Sequence, residues 1–114
     1  MYMEHVKVEP NGRIWLEIQG NNFLGSGRAE LLEKIEELGS LRKAAITMGM
    51  SYRKAYYAIQ SINRLAPSPL VNFTKGGKGG GMAQITPSGK WVTNRFRQFE
   101  KDFDEFLIWQ SKIV

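Results

Sequence analysis

Between Leu38 and Phe99 the chain carries ten cations and not one carboxylate: Arg42, Lys43, Arg53, Lys54, Arg64, Lys75, Lys78, Lys90, Arg95 and Arg97. The acids stand on the flanks, as Glu30, Glu33, Glu36 and Glu37 before the stretch and Glu100, Asp102, Asp104 and Glu105 after it. Ordinary solvated surfaces intersperse both signs. A one-sign stretch of this length instead creates a field that attracts a polyanion. Two of the cations, Lys75 and Lys78, lie in "KGGKGGG", where bare glycine backbone permits close approach to phosphate groups.

Other chemistries fail on residue types or spacing. A phosphate-binding P-loop places Ser or Thr directly after its lysine, whereas Lys78 is followed by Gly79 and Lys90 by Trp91. The chain has no cysteine and a single histidine, His5, which removes thiolate zinc sites, cysteine nucleophiles and histidine-rich metal clusters. No paired acids or activated nucleophile converge in the sequence, so no enzyme and no cofactor are expected. A free linker at 75–81 does not fit either, because the residues after it complete a pair of strands. A purely structural hairpin stays open.

The elements that would position these side chains follow from periodicity. "HVKVEPNGRIWLEI" alternates at period two, with Pro10-Asn11-Gly12 between its halves, and predicts a hairpin or two short strands within 5–18, His5 among them. Residues 20–27 read as a loop. Three helices are expected within 27–65. The first carries Leu31, Leu32, Ile35 and Leu38 on its apolar face and stops at Gly39. The second opens at Ser40 with Leu41, Ala44, Ala45 and Met48 inward. After Gly49 and Met50, the third opens at Ser51, buries Ala55, Ile59 and Ile62, and ends before Pro67 and Pro69. Two helices joined by so tight a glycine turn predict helix-turn-helix geometry. "LVNFT" and "MAQIT", within 70–86, predict a hairpin wing with a basic tip, and Pro87 opens a long helix over 87–114. The fold class expected is α+β, mainly α: one winged helix-turn-helix domain over 1–114 with a long C-terminal dimerisation helix. No apolar run approaches the roughly 18 residues of a membrane span, and the N-terminus lacks a signal-peptide profile. A soluble cytoplasmic protein that contacts no membrane is the expectation.

Two ordered blocks, "GSGRAELLEKIEELGSLRKAAITMGMSYRKAYYAI" and "PLVNFTKGGKGGGMAQITPSG", resemble the N-terminal DNA-binding domain of the ModE family of molybdate-responsive regulators. More distantly the stretch is similar to the winged helix-turn-helix of LysR-type regulators. The resemblance runs from about Gly25 to the chain end. It implies a domain that dimerises through its last helix, with the helix entered by Met50-Ser51-Tyr52-Arg53 in the major groove of double-stranded DNA. "ITPSG", from Ile85 to Gly89, looks like the family's junction between wing and helix. Lys75, Met82, Gln84 and Tyr56 depart from the family pattern. Regulators of the family carry a C-terminal molybdate-binding module. The chain ends at Val114, so oxyanion binding of that kind is not expected from it.

Individual roles follow. Tyr52, Arg53, Tyr56 and Tyr57 begin the exposed face of the third helix, which Gln60 and Ser61 continue. Arg53 is suited to a guanine edge. Lys54, Arg42, Lys43, Lys75 and Lys78 are suited to phosphates. One of Tyr56 and Tyr57 is expected to pack on the body. In the last helix Val92, Phe96, Phe99, Phe103 and Phe106 recur at spacings of four and three. The proximal turns would serve the core and Phe99, Phe103 and Phe106 a second subunit. A second function class stays open, a winged-helix module whose third helix packs on a protein partner.

Overall fold

The computed structural model describes residues 1–74 and 81–113. Both short strands expected within 5–18 are present, at 6–7 and 16–18, but they do not pair with each other as a hairpin. β1 (Tyr2–Met3) pairs with β2 (Val6–Lys7), and β3 (Leu16–Ile18) pairs with β4 (Asn21–Leu24), both antiparallel. His5 is therefore a turn residue, at φ 70° beside Glu4 at φ 46°. The second turn is built the same way, from Gln19 at φ 51° and Gly20 at φ 80°. Two consecutive positive φ values make the tight turn that matches strand twist. Alternation marks a strand but not its partner, and a two-residue closure costs less chain entropy than a loop around Pro10-Asn11-Gly12. Part of the expected loop at 20–27 is thus a strand, and it buries Phe23 and Leu24.

The helices follow the sequence closely. α1 (Ser26–Leu38) buries Ala29, Leu31, Leu32 and Ile35, and Gly39 closes it at φ 68° with its N–H donating to the Ile35 carbonyl. α2 (Leu41–Thr47) is capped by Ser40, whose Oγ accepts from the Lys43 N–H at 3.1 Å. α3 (Tyr52–Leu65) is capped in the same manner by Ser51, from the Lys54 N–H at 3.1 Å. Each cap satisfies an N–H that the first helical turn leaves orphaned. Between them Gly49 takes φ 67°. Ala44 and Ala45 of α2 and Ala55 of α3 are fully buried, so the two backbones meet without intervening bulk.

β5 (Val71–Thr74) and β6 (Met82–Ile85) form an antiparallel ribbon in the register Val71↔Ile85 to Thr74↔Met82. A single bond from the Ala83 N–H to the Gly39 carbonyl, 3.1 Å, ties the ribbon to the end of α1. α4 (Pro87–Ile113) starts from a junction packed around Thr86. The Thr86 hydroxyl donates to the Pro69 carbonyl at 2.8 Å and accepts from the Gly89 N–H at 3.0 Å. Pro87 occupies the first helical position, where its missing N–H costs nothing. A Cβ on Gly89 would collide with the Leu70 carbonyl and with Ile85. Glycine is what lets α4 cross the ribbon at this distance.

Phe96 of α4, Ile59 and Ile62 of α3, Leu31, Leu32 and Ile35 of α1, and Val71 of β5 make one core. Lys90 pairs with Glu36 at 3.1 Å, and Arg97 reaches Glu33 at 2.7 Å and Glu100 at 2.6 Å, so α4 is latched to α1. Beyond this latch α4 runs out past the body, alongside residues 9–15, where Gly12 lies against the Phe103 ring. The described residues span 64 × 29 × 21 Å.

Candidate nucleic-acid interface

The outer face of α3 is set by the face it buries. Ala55, Ile59 and Ile62 point into the core. At 100° per residue the opposite line is Arg53, Tyr57, Gln60 and Arg64, spaced four, three and four apart. All four are exposed. Tyr52 and Tyr56 flank that line on the side of β5, and Lys54 flanks it on the other. Ser51 sits exposed at the helix entrance, its Oγ accepting from the Lys54 N–H as the cap.

Aromatic rings and guanidinium groups interleave across this face. Tyr52 stacks on Tyr56 with centroids 6.2 Å apart, and Tyr56 touches Phe73 of β5 at 6.3 Å. Arg42 of α2 lies 4.8 Å above the Tyr52 ring, and Arg53 lies 5.6 Å from the Tyr57 ring. Contacts of this kind hold long cationic side chains in place while their N–H groups stay available. Neither tyrosine is buried: Tyr56 is 38% exposed and Tyr57 57%. Tyr56, against Phe73 of β5, is the one of the two that packs on the body, at the edge of the Ala55–Ile59–Ile62 stripe, while Tyr57 faces outward. The Tyr56 hydroxyl accepts from Gln60 Nε2 at 2.8 Å.

The ribbon is locked to α3 by Asn63. Its Oδ1 accepts from the N–H groups of Leu70 (2.9 Å) and Val71 (3.2 Å), and its Nδ2 donates to the Val71 carbonyl (2.9 Å). Three bonds from one amide fix where β5 leaves the helix, and so which way the ribbon points. Lys75 and Lys78, assigned to the ribbon tip from sequence, lie outside the described residues.

The ten cations of the acid-free stretch do not act alike. Arg42, Lys43, Arg53, Lys54 and Arg64 have no carboxylate within ion-pair distance among the described residues. Lys90 and Arg97 are spent on α1, and the hydrogen bond that Arg97 donates to Glu33 holds its guanidinium above its ordinary range, with burial opposing and Glu100 assisting. Arg95 covers the Phe99 ring at 4.8 Å. Arg28, outside the stretch, is pushed down by burial and donates to the carbonyls of Asn22 and Phe23. From sequence, Gln60 reads only as a continuation of the α3 face and Arg64 only as one of the ten cations. Extending the spacing from Arg53 through Tyr57 would have found both. Phe73 carried no such signal, since its exposure depends on where the core stops beneath the ribbon.

Of the seam residues, Phe99 is partly exposed, Phe103 is half-covered by the chain's own Gly12 segment, and Phe106 is 52% exposed. Among the described residues no group of three metal-ligating side chains gathers, and no helix is long and apolar enough to cross a membrane. What the fold presents is an exposed face of cations, rings and amide donors on an α+β scaffold.

Comparison with known proteins points the same way. The chain is 37% identical over 95 residues to the "Molybdenum transport protein ModE" of Azotobacter vinelandii, covering 83% of this chain and 35% of that protein. It is 40% identical over 84 residues to the "Molybdenum-pterin-binding protein MopB" of Rhodobacter capsulatus, covering 74% and 31%. It is 39% identical over 75 residues to the "DNA-binding transcriptional dual regulator ModE" of Escherichia coli K12, covering 66% and 29%. The chain thus spans about a third of the length of the curated relatives it matches. No protein-family model matches it.

Proposed function

We propose that the chain is a winged helix-turn-helix domain of a ModE-like transcription regulator, binding double-stranded DNA as a homodimer and performing no catalysis. The observation that carries this reading is the outward line of α3, where Arg53, Tyr57, Gln60 and Arg64 have no ion-pairing acid among the described residues, on a helix capped by Ser51 after the turn at Gly49. Arg53 and Gln60 are side chains that hydrogen-bond base edges in the major groove. Arg42, Lys43 and Lys54 surround them as phosphate contacts that position without selecting. β5 and β6 are the wing, and Lys75 and Lys78, in the sequence between them and outside the described residues, are proposed to add phosphate contacts. The similarity to transcriptional regulators named ModE supports the reading. The molybdenum chemistry in the relatives' names is not carried over to these residues.

The exposed rings of Tyr52, Tyr56, Tyr57 and Phe73 favour a second reading, a face that docks on a protein. Titration of duplex DNA at several salt concentrations separates the two. Phosphate contacts release counterions, so DNA affinity should fall steeply and linearly on logarithmic axes as salt rises. Folded protein that binds no duplex at low salt refutes the DNA reading and leaves the protein-docking one.

A further inference from the structure

Gln60 is a long amide on an exposed helix face, yet it is held at one point. Its Nε2 donates to the Tyr56 hydroxyl at 2.8 Å, one turn earlier on α3. That hydroxyl is itself fixed, because the Tyr56 ring is braced on three sides. Tyr52 stacks on it at 6.2 Å, Tyr57 meets it edge-on at 6.1 Å, and Phe73 of β5 lies 6.3 Å away. Tyr56 is the least exposed of the three tyrosines of α3. An exposed glutamine left to itself samples many rotamers and gives up that freedom only on binding. Here the freedom is restricted beforehand.

The bond also decides what the amide has left to offer. A side-chain amide carries two N–H donors and one oxygen with two lone pairs. With one donor on Tyr56, Gln60 keeps one N–H and its Oε1, neither with another partner among the described residues. An adjacent donor and acceptor match the major-groove edge of adenine, whose N7 accepts and whose N6 amino group donates. Guanine offers two acceptors at that edge, cytosine an amino donor, and thymine one acceptor beside a methyl group. Adenine alone uses both remaining atoms. Arg53, Tyr56, Tyr57 and Gln60 stand at i, i+3, i+4 and i+7, a spacing that turns them to one side of the helix, as base-reading positions are arranged.

We infer that Gln60 reads an adenine in the major groove, and that Tyr56 is the positioning residue that aims its amide. Phe73 extends this brace to the ribbon, so the contact between β5 and α3 also steadies the reading side chain. A glutamate at position 60 would keep the acceptor and lose the donor, which suits the cytosine amino group instead.

The inference rests on the proposed DNA reading, and the test keeps the two apart. Duplexes selected from a random-sequence library by the unmodified protein should carry adenine at a position where Gln60→Ala selects no base and Gln60→Glu selects cytosine. In the selected duplex, replacing that adenine by 7-deaza-adenine removes the N7 acceptor. The change should weaken the unmodified protein several-fold and Gln60→Ala not at all. Tyr56→Phe keeps the ring and removes only the hydroxyl. It should lose roughly tenfold of the adenine preference, while random-duplex affinity, salt slope and thermal midpoint hold, and those three readouts separate aiming from folding. Unmodified protein that binds no duplex at low salt overturns the DNA reading and this inference together. Duplex binding without such an adenine, or with the same bases selected by Gln60→Ala, overturns the adenine contact and leaves the DNA reading standing. Full adenine preference in Tyr56→Phe overturns the positioning role.

Discussion

The outer face of α3 and the proximal half of α4 draw their cations from the same acid-free stretch, yet the fold spends them differently. On α3 Arg53, Lys54 and Arg64 face outward with no carboxylate in reach among the described residues, and Arg42 joins them from α2. On α4 Lys90 and Arg97 are turned onto Glu36 and Glu33 of α1, where they hold the long helix to the body. A run of like charge in sequence is thus no measure of the charge a surface offers. What decides is which helix face each residue takes and which acids the tertiary fold brings beneath it. The glutamates of α1 look like a mere flank in the sequence. In space they are the counter-charge that neutralises two of the ten cations.

Substitutions on each side sharpen this contrast, beginning with the junction on which the α4 side depends. Gly89→Val should cost several kcal/mol, at or above the ~1–3 kcal/mol usual for overpacking, because the added Cβ meets the backbone carbonyl of Leu70 rather than a side chain that could move. Thermal unfolding would register it as a large drop in midpoint, and a variant as stable as the original would contradict the close crossing of α4 over the ribbon.

A smaller effect is expected on the α3 side, and it concerns selection rather than folding. Arg53→Ala should lose roughly 1–3 kcal/mol of preference between specific and random duplexes, with little change in stability. Lys54→Ala should weaken all duplexes alike and reduce the salt slope by about one unit. Competition binding on the two kinds of duplex distinguishes these outcomes. An unchanged specificity ratio in Arg53→Ala would overturn the proposal that α3 is the reading element.

The smallest effect belongs to Lys90→Ala. Its pair with Glu36 is exposed on both sides, so the stability change should stay within about 1 kcal/mol. DNA affinity and salt slope should match the unmodified protein. A salt slope that falls as it does for Lys54→Ala would show that Lys90 belongs to the binding field after all, and the contrast between the two helices would fail.

Much of this architecture is local and was legible for that reason. Ser40, Ser51, Gly39, Gly49 and Pro87 announce helix ends through caps, positive φ and a missing N–H, all decided within four residues of chain. The buried stripes of α1, α2 and α3 follow from a period of 3.6 and need no partner to be recognised. Strand pairing in the first 24 residues was not legible. Val6, Val8, Leu16 and Ile18 alternate whichever neighbour they bond, and only the positive φ values at His5 and Gln19 reveal where the chain doubles back. The two tyrosines of α3 show the same limit, since the width of the buried stripe depends on how far β5 and its Phe73 extend over the helix.

By itself the sequence determined the helices, their caps, the tight turn before α3 and the presence of an acid-free basic stretch, because each depends on interactions between near neighbours along the chain. Only the tertiary structure decided which cations remain free, which aromatic rings reach the surface, and which face of α4 stays uncovered. Those outcomes depend on contacts between residues tens of positions apart, such as Arg97 with Glu33, Tyr56 with Phe73 and Phe103 with Gly12. Charge and apolarity are properties of a residue, but their availability is set by whatever the fold places against them.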